Sequence, residues 1–166
     1  VALLQEQFVA GGCDGWSSDI SQLTGLRSDF PDGPEALTIL DTVFSKEPLA
    51  PAVPDGDSEW AQAVNWTILA TMQAEEFGID SSNIGDFAET DDPNIQKFLG
   101  LEFEDEEGTA TLDPGLGLPV DFATQIITQV GNYGEIYEEH VTPLGLERGL
   151  NEIWNNGGLL YAPPYR

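Results

Sequence analysis

A strand, a helix and a second strand are predicted in succession before residue 45, and this order constrains the fold more than any other feature of the sequence. Residues 13–19 mix apolar and polar side chains over a short span, which is typical of a buried strand and its exit loop. Asp19 is placed to cap a helix over residues 20–30. The residues expected to face inward on this helix are Ile20, Leu23 and Leu26. Apolar residues 36–44 predict the second strand, so the order indicates an open α/β sheet.

The segments around this unit carry clear local signals. Residues 1–10 place apolar side chains on one helical face, and Gly11-Gly12 is expected to end that helix. The sequence Pro-Asp-Gly-Pro at 31–34 predicts a turn. The prolines within residues 45–53 exclude a central strand position there, so this segment is expected to be an extended hinge or crossover.

The remainder of the chain is predicted to be rich in helix after residue 58. Asp57 or Ser58 is expected to cap a long helix that Gly78 ends. An apolar residue recurs at every fourth position of this helix, namely at Trp60, Val64, Ile68 and Met72. The fold class is therefore predicted to be α/β, with helix dominant in the second part of the chain.

Beyond Ile79 the predicted elements are short. In chain order they are helices at 81–87 and 91–100, an acidic loop at 101–117, a helix at 119–141 that is interrupted or ended near Gly131, a last helix at 146–158 and an extended tail at 161–166. The inward face of the last helix is expected to carry Leu146, Leu150, Ile153 and Trp154.

The charge balance is extreme, because 30 acidic residues face five basic ones and the formal net charge is −25. Phosphate backbones and anionic membrane surfaces would repel such a chain, so nucleic acid is not an expected partner. No apolar run approaches the ~20 residues that cross a bilayer as a helix. The acidity fits plain self-repulsion, and it equally fits a saline extracytoplasmic medium in which ions screen the charges.

No catalytic or metal-binding set of residues is evident. His140 is the single histidine and has no cysteine at ligand spacing, so a surface or helix-end position is expected in preference to a metal site, and no Ser-His-Asp set is obvious around it. The acidic run Glu102–Glu107 does not match the calcium-binding loop pattern. Carboxylate pairs are expected by chance in so acidic a chain and do not support a glycosidase. We therefore predict that the chain is not an enzyme and has no cofactor and no metal.

Four blocks of sequence, in the same order, resemble a known family. They are Gly11–Leu23 (GGCDGWSSDISQL), Ser45–Val53 (SKEPLAPAV), Val130–His140 (VGNYGEIYEEH) and Leu144–Arg166 (LGLERGLNEIWNNGGLLYAPPYR). Together they resemble the general L-amino-acid-binding periplasmic proteins, which are type II solute-binding receptors of bacterial ABC importers. The order of four separate blocks is far more specific than one short motif. The resemblance implies a periplasmic or extracytoplasmic location.

The resemblance also implies that the chain is the C-terminal portion of a two-lobed receptor. Family members are longer at the N-terminus, where they carry a signal peptide, most of lobe one and the front of lobe two. Residues 1–44 are then expected to be the C-terminal part of lobe two. Residues 45–166 are expected to return to lobe one and to add a helical C-terminal extension.

The resemblance places the candidate ligand-binding residues just before the helix at 20–30. In type II binding proteins the last Asp of a G-x-x-D-x-x-x-x-D stretch holds the ligand's α-ammonium group, and Asp19 matches that position. Asp19 could also simply cap the helix, and the two roles are compatible. Ser17 and Ser18 are further candidates, although they could bond only to the backbone. Asp14 is expected to tie the turn, and the family's carboxylate-binding Arg has no match in this chain.

Cys13 is the single cysteine of the chain. A lone cysteine is most often a small buried hydrophobic residue. The resemblance implies instead a disulfide, because several family members pair the matching cysteine with one on an upstream strand of lobe two. The partner of Cys13 is then expected to lie outside this chain.

These expectations combine into one predicted function and one alternative. The predicted function is that of an ABC importer's receptor, which captures an L-amino acid between two lobes and delivers it to the permease subunits in the membrane. The alternative is a free-standing interaction or oligomerisation module derived from a solute-binding protein. It is favoured if the apolar faces that the missing lobe leaves bare associate with a second copy.

Overall fold

The computed structural model describes residues 2–46 and 48–164, which divide into two units. Unit 1 contains the described residues up to Ala50 together with Leu144–Leu146. Unit 2 contains Pro51–Pro143 and the described residues from Glu147 onward. The assignment of residues 1–44 and 45–166 to two receptor lobes stays a prediction.

Unit 1 contains the two helices that the sequence predicts. Helix α1 spans Ala2–Val9, helix α2 spans Ile20–Ser28, and a 3₁₀ turn covers Pro34–Ala36. Gly11, with a φ of 72°, ends α1 because the Gly12 amide reaches back to the Gln7 carbonyl at 2.8 Å. The predicted glycine stop is therefore confirmed.

The two strands predicted in unit 1 are wrong. Residues 13–19 and 36–44 form no strand, and within the described residues no strand pairs with them. A β-strand exists only when its amides and carbonyls bond to a neighbouring strand, so an apolar segment without such a neighbour stays extended but unpaired. The structure also corrects the predicted inward face of α2, because Ile20 is 58% exposed.

Unit 1 buries very little of its apolar surface. Thr24 is its one buried residue among those described, and its hydroxyl donates to the Ile20 carbonyl at 2.7 Å. The rings of Phe8 and Phe30 lie 6.4 Å apart. Among the described residues, the helices of this unit therefore have C-terminal turns closed by backbone bonds and a single aromatic contact, but no hydrophobic core.

Unit 2 begins with the longest helix, α3 (Ser58–Glu76), which has the predicted cap and stop. The Asp57 carboxylate accepts a hydrogen bond from the Trp60 amide at 3.0 Å, and Gly78 adopts a φ of 69° after the last turn. The predicted apolar stripe is wrong at its first position, since Trp60 is 54% exposed. The most buried residues are Ala70 and Ala74 instead, because small side chains let neighbouring helices approach closely.

Three further helices complete unit 2. Helix α4 covers Pro93–Leu99, α5 covers Phe122–Val130 and α6 covers Tyr133–His140. The predicted interruption near Gly131 is confirmed. Gly131 ends α5, and Asn132 starts α6 with a reciprocal capping box in which Asn132 and Glu135 each bond to the other's backbone amide.

The core of unit 2 lies between α3, α4 and α5. Phe98, Ile79 and Ile127 are fully buried, and the ring of Phe77 meets Phe98 edge-on at 5.5 Å between centroids. The other buried members of this cluster are Ala70, Ala74, Ile95, Leu99, Phe122 and Ala123. Burial of such apolar area is the main favourable contribution to folding, so the stability of the described chain is concentrated here.

The predicted acidic loop contains a small antiparallel hairpin. Strand β1 (Phe103–Asp105) pairs with β2 (Gly108–Ala110), with Phe103 opposite Ala110. The Asp105 carboxylate accepts bonds from the amides of Glu107 and Gly108 at 2.8 and 3.0 Å, which closes the turn. Acidic residues therefore occupy this segment without preventing a strand pair.

The prediction of a last helix at 146–158 is wrong. In its place the chain forms 3₁₀ turns at Gly149–Asn151 and Trp154–Asn156 and then reverses, so that Ile153 and Leu160 form a parallel bridge. Ile153 is buried as predicted, whereas Leu150 and Trp154 are 66% and 60% exposed. The two remaining 3₁₀ turns are Ile84–Phe87 and Thr142–Leu144. Among the described helices, none is both long and apolar enough to cross a membrane.

Candidate functional site

Asp19 stands at the entry to α2 with its carboxylate uncommitted. Its backbone carbonyl accepts the first helical bond, from the Leu23 amide at 2.9 Å, while its side chain makes no capping bond. Within the part of the chain that the structure describes, the carboxylate accepts no hydrogen bond, and the residue is half-buried. The carboxylate is therefore free to bind an external cation at the positive end of a helix.

The two serines before Asp19 differ in their contacts. The Ser18 hydroxyl is hydrogen-bonded to the side-chain carbonyl oxygen of Gln22, one turn into α2, and not to the backbone as expected. Ser17 is exposed. Both serines therefore lie in the same loop as Asp19, and Gln22 is a neighbour that the sequence pattern does not single out.

Asp14 and Cys13 lie at the start of this loop and are both exposed. The turn after α1 is closed by backbone bonds, and within the described residues no hydrogen bond involves the Asp14 carboxylate. The Cys13 thiol is free. Cys13 does not follow the usual tendency of a lone cysteine to be buried, and the candidate disulfide to a partner outside the chain stays a prediction.

The described cations of the chain are engaged elsewhere or lie on other elements. Arg27 donates to the Pro34 carbonyl at 2.9 Å, and the Lys97 ammonium lies 4.8 Å from the centre of the Phe103 ring. Lys46 is exposed in the segment after residue 44. Among the described residues, none of these groups forms a hydrogen bond or an ion pair with Asp19.

Arg148 anchors a polar cluster in unit 2 that the sequence does not reveal. Its guanidinium forms a two-pronged ion pair with Glu75 of α3, lies 3.4 Å from the Glu152 carboxylate, and sits over the rings of Tyr133 and Tyr137 at 5.8 and 5.7 Å. Burial alone would lower the pKa of Arg148, but the hydrogen bond and charge of Glu75 outweigh burial and raise it. The cation is therefore permanent and neutralised by its own chain.

A second, partly buried carboxylate ties α6 to the segment that follows α3. Glu135 accepts from the Asn132 amide at 2.7 Å and from the Ser81 amide at 3.0 Å. Asn132 in turn donates to the Ile79 carbonyl at 2.8 Å. The signal that could have revealed this contact is the Asn-x-x-Glu spacing, which is a capping-box pattern in the sequence.

Unit 2 also has a shallow pocket beside its core. It is lined mainly by apolar residues, with one carboxylate at its edge: Trp66, Leu112, Asp113, Pro114, Leu116, Leu118 and Phe122. Among the described residues, no group of histidines, cysteines and acids is arranged to hold a metal ion. The pocket brings together none of the predicted site residues, so the candidate site remains the loop that leads into α2.

Comparison with known proteins identifies relatives over nearly the whole chain. No family model matches the sequence. The chain is 44% identical to the general L-amino acid-binding periplasmic protein AapJ of Rhizobium johnstonii, over 95% of this chain and 45% of that protein. It is 41% identical to the glutamate/glutamine/aspartate/asparagine-binding protein BztA of Rhodobacter capsulatus, over 98% of this chain and 47% of that protein. A putative amino-acid ABC transporter-binding protein of Escherichia coli, YhdW, is 44% identical over 95% of this chain and 45% of its own length.

A solved structure has the same fold over this region. It is an ABC transporter periplasmic binding protein from Brucella ovis with glutathione bound, which matches with a TM-score of 0.86 and 40% sequence identity. The match covers 97% of this chain and 49% of that one. The fold of the chain is therefore that of part of a periplasmic binding protein.

Both comparisons agree that, over nearly its whole length, the chain is similar to part of the amino-acid-binding periplasmic proteins of ABC transporters. It spans about half the length of the curated relatives it matches. The predicted family, fold class and periplasmic location are confirmed at this level. The relatives are binding proteins and not enzymes.

Proposed function

We propose that this chain forms part of a receptor that binds an L-amino acid in the periplasm and delivers it to an ABC permease. The observation that carries the proposal is the free, half-buried carboxylate of Asp19 at the start of α2. The names of two relatives support the ligand class: one is a general L-amino acid-binding protein, and the other is a glutamate/glutamine/aspartate/asparagine-binding protein.

The chemistry of an amino acid explains why a carboxylate is needed at this point. A zwitterion that leaves water must find a partner for each charge, because an unpaired buried charge is very costly. An Asp side chain gives the α-ammonium group a charge-assisted bond about twice as strong as a neutral one. Asp19 is the proposed ammonium ligand, and Ser17 is proposed to donate a hydroxyl hydrogen bond to the ligand beside it. Ser18 is proposed to do the same only after its hydroxyl leaves the Gln22 side chain.

This chain is proposed to supply only the ammonium half of the ligand site. Arg148 is committed to Glu75, and Arg27 bonds to the backbone, so neither is offered to the ligand's carboxylate. We expect the chain by itself to bind free amino acids weakly or not at all. Calorimetry with a panel of amino acids tests this, and a micromolar dissociation constant, equivalent to about −8 kcal/mol, would contradict it.

The direct test uses a chimaera in which the part of AapJ outside the match is joined to this chain. Asp19→Ala in the chimaera is expected to weaken amino-acid binding more than a hundredfold, because an unpaired buried ammonium costs roughly 3–5 kcal/mol. Asp14→Ala, in the same loop and also without a hydrogen bond, is the matched control and is expected to bind normally. Equal affinity for Asp19→Ala and the parent would remove Asp19 from the site.

The chain is proposed to have no catalytic activity. General acid–base catalysis needs a pair of groups held within reach of the substrate, and the loop before α2 offers one carboxylate and two hydroxyls.

Delivery to the permease is proposed to depend on closure of the lobes, because a ligand that touches both lobes stabilises the closed state alone. The alternative of a free-standing oligomerisation module gains no support from the relatives and is not proposed.

Cys13 is proposed to form a disulfide with a cysteine outside this chain, as the family resemblance implies. Its exposed position leaves the sulfur accessible to such a partner. In the chain alone the thiol is expected to react fully with a thiol reagent under denaturing, non-reducing conditions. Resistance to the reagent without an intermolecular bridge would contradict the free thiol.

A further inference from the structure

Alternate residues of the segment 111–118 form one wall of the shallow pocket in unit 2. Exposed and half-buried residues alternate along this segment, and the half-buried ones line the pocket: Leu112, Pro114, Leu116 and Leu118. Trp66 of α3 and the buried Phe122, the first residue of α5, complete the apolar lining. The pocket is therefore an apolar recess made by one segment and two aromatic side chains.

The backbone of this wall has an unusual conformation. Gly115, Leu116 and Gly117 follow one another with φ of 70°, 55° and 67°, and among the described residues Leu116 is the only one other than glycine with a positive φ. A residue with a side chain is uncommon in this conformation and persists there only when its surroundings fix it. Here the Leu118 amide donates to the Gly115 carbonyl at 3.0 Å, and the Gly115 amide donates to the Asp113 carboxylate at 2.8 Å. The wall is therefore preformed by hydrogen bonds within its own turn.

The size of the pocket limits the ligand to one small apolar group. Its volume is about 110 Å³. For comparison, an engineered apolar cavity of about 150 Å³ takes up benzene. The pocket opens to solvent beside Asp113, which is exposed, so a ligand can extend outward there. A single ring or a short branched chain therefore fits, with the rest of the ligand beside Asp113.

The charge at this opening selects a cation. One carboxylate oxygen of Asp113, Oδ1, accepts from the Gly115 amide, and within the described residues no hydrogen bond involves the other, Oδ2. Among the lining residues that the structure describes there is no Lys, Arg or His, so nothing there would pair with an anion. The net charge of −25 further favours the approach of cations. A ligand with a carboxylate, such as an amino acid, would face Asp113 without a partner.

We propose that this pocket binds small organic ammonium ions, with one apolar group between Trp66 and the segment 111–118 and the ammonium group beside the Asp113 carboxylate. The site is separate from the proposed amino-acid site, because it shares no residue with the loop before α2. It also differs in chemistry, since it accepts an amine and rejects the zwitterion that carries the same apolar group.

Three ligands of nearly the same shape test the selection by charge: benzylammonium, benzyl alcohol and benzoate. Each is titrated into this chain at pH 7 and low salt, and the NMR shifts of the Leu112, Leu116 and Leu118 methyl groups report binding. We expect benzylammonium to bind about fivefold more tightly than benzyl alcohol, which is near the upper limit for an exposed ion pair. Benzoate should shift none of these methyl groups. Added salt should remove the preference for benzylammonium, because ions screen the exposed carboxylate.

Variants of the chain separate the charge from the apolar wall. Asp113→Asn keeps an oxygen for the Gly115 amide and removes the charge, so benzylammonium should bind no better than benzyl alcohol, whose affinity should not change. Asp91→Asn, at an exposed position of unit 2 outside the pocket lining, is the matched control and should retain the preference. Leu116→Gly removes a wall side chain where glycine adopts the backbone conformation freely, and it should weaken both ligands about threefold.

Each outcome decides the proposal. Unchanged methyl shifts with benzylammonium, equal affinities for the amine and the alcohol, or a preference that survives Asp113→Asn would overturn it. Methyl shifts that depend on the concentration of the chain itself, without ligand, would also overturn it, by showing that a second copy occupies the pocket. Asp19→Ala should leave benzylammonium binding unchanged, so failure at this pocket and failure of the proposed amino-acid site are distinguishable.

Discussion

Units 1 and 2 both contain helices whose C-terminal ends are closed by backbone hydrogen bonds, but only unit 2 has a hydrophobic core among its described residues. In unit 1, α1 ends in a glycine-assisted turn and α2 in a backbone-closed one, yet of its described residues Thr24 alone is buried. In unit 2, Phe98, Ile79 and Ile127 are fully buried between helices. The difference teaches that local sequence is enough to set helix limits, whereas cooperative stability needs apolar surface from several elements.

The largest expected effect comes from the same substitution made in each unit. Phe98→Ala should reduce the free energy of unfolding of unit 2 by about 3–5 kcal/mol, because it leaves a cavity in the core. Phe44→Ala should change the free energy of unfolding of unit 1 by no more than ~0.5 kcal/mol, since the Phe44 ring is exposed. Urea unfolding followed by tryptophan fluorescence measures both. Equal effects would remove the contrast between the units.

A smaller expected effect concerns the two arginines with defined contacts. Arg148→Ala should cost unit 2 roughly 3 kcal/mol, because it leaves the Glu75 carboxylate largely buried without its partner. Arg27→Ala removes one exposed hydrogen bond to a backbone carbonyl and should cost less than ~1 kcal/mol. Thermal unfolding at fixed pH and salt compares them. A stable Arg148→Ala protein would show that the cluster contributes nothing to folding.

Two glycines sharpen the comparison further. A Cβ on Gly100 would lie 2.2 Å from the Val120 carbonyl oxygen, and the residue has a φ of 72°. Gly33 has a φ of 87° in open space. Gly33→Ala should therefore cost about 1 kcal/mol from its backbone conformation alone, and Gly100→Ala clearly more. Equal urea midpoints for Gly33→Ala and Gly100→Ala would mean that the backbone at Val120 moves away from the added methyl group at no cost in stability.

The smallest expected effect depends on pH. Hydrogen bonds from the Ser82 hydroxyl and from the Ser82 and Asn83 amides hold the pKa of Asp80 below its ordinary value of 3.8. A depressed carboxyl pKa stabilises the folded state above pH 3.8, and this contribution is lost as the pH falls through the folded value. Asp80→Ala should lower the melting temperature at pH 7, and the difference from the parent should shrink toward pH 3. Asp19→Ala, which removes no hydrogen bond, should leave the melting temperature unchanged at pH 7.

Much of the local structure could be predicted from the sequence. The cap at Asp57, the stop at Gly78 and the break at Gly131 follow from residue types whose side chains or backbone freedom act within one helical turn. The family could be predicted as well, because four blocks in order are a long-range pattern that chance does not supply. The position of Asp19 before α2 follows from the same blocks.

Contacts between residues far apart in the chain were decided only by the tertiary structure. The strands predicted at 13–19 and 36–44 require neighbours that the described chain does not supply, so periodicity alone gave the wrong state. The segment predicted as the last helix instead reverses direction, so that Ile153 forms a bridge with Leu160. That bridge and the Arg148–Glu75 ion pair hold the segment in its non-helical conformation. Helix ends are local and the sequence determines them, whereas strand pairing and buried ion pairs depend on which distant groups the fold brings within reach.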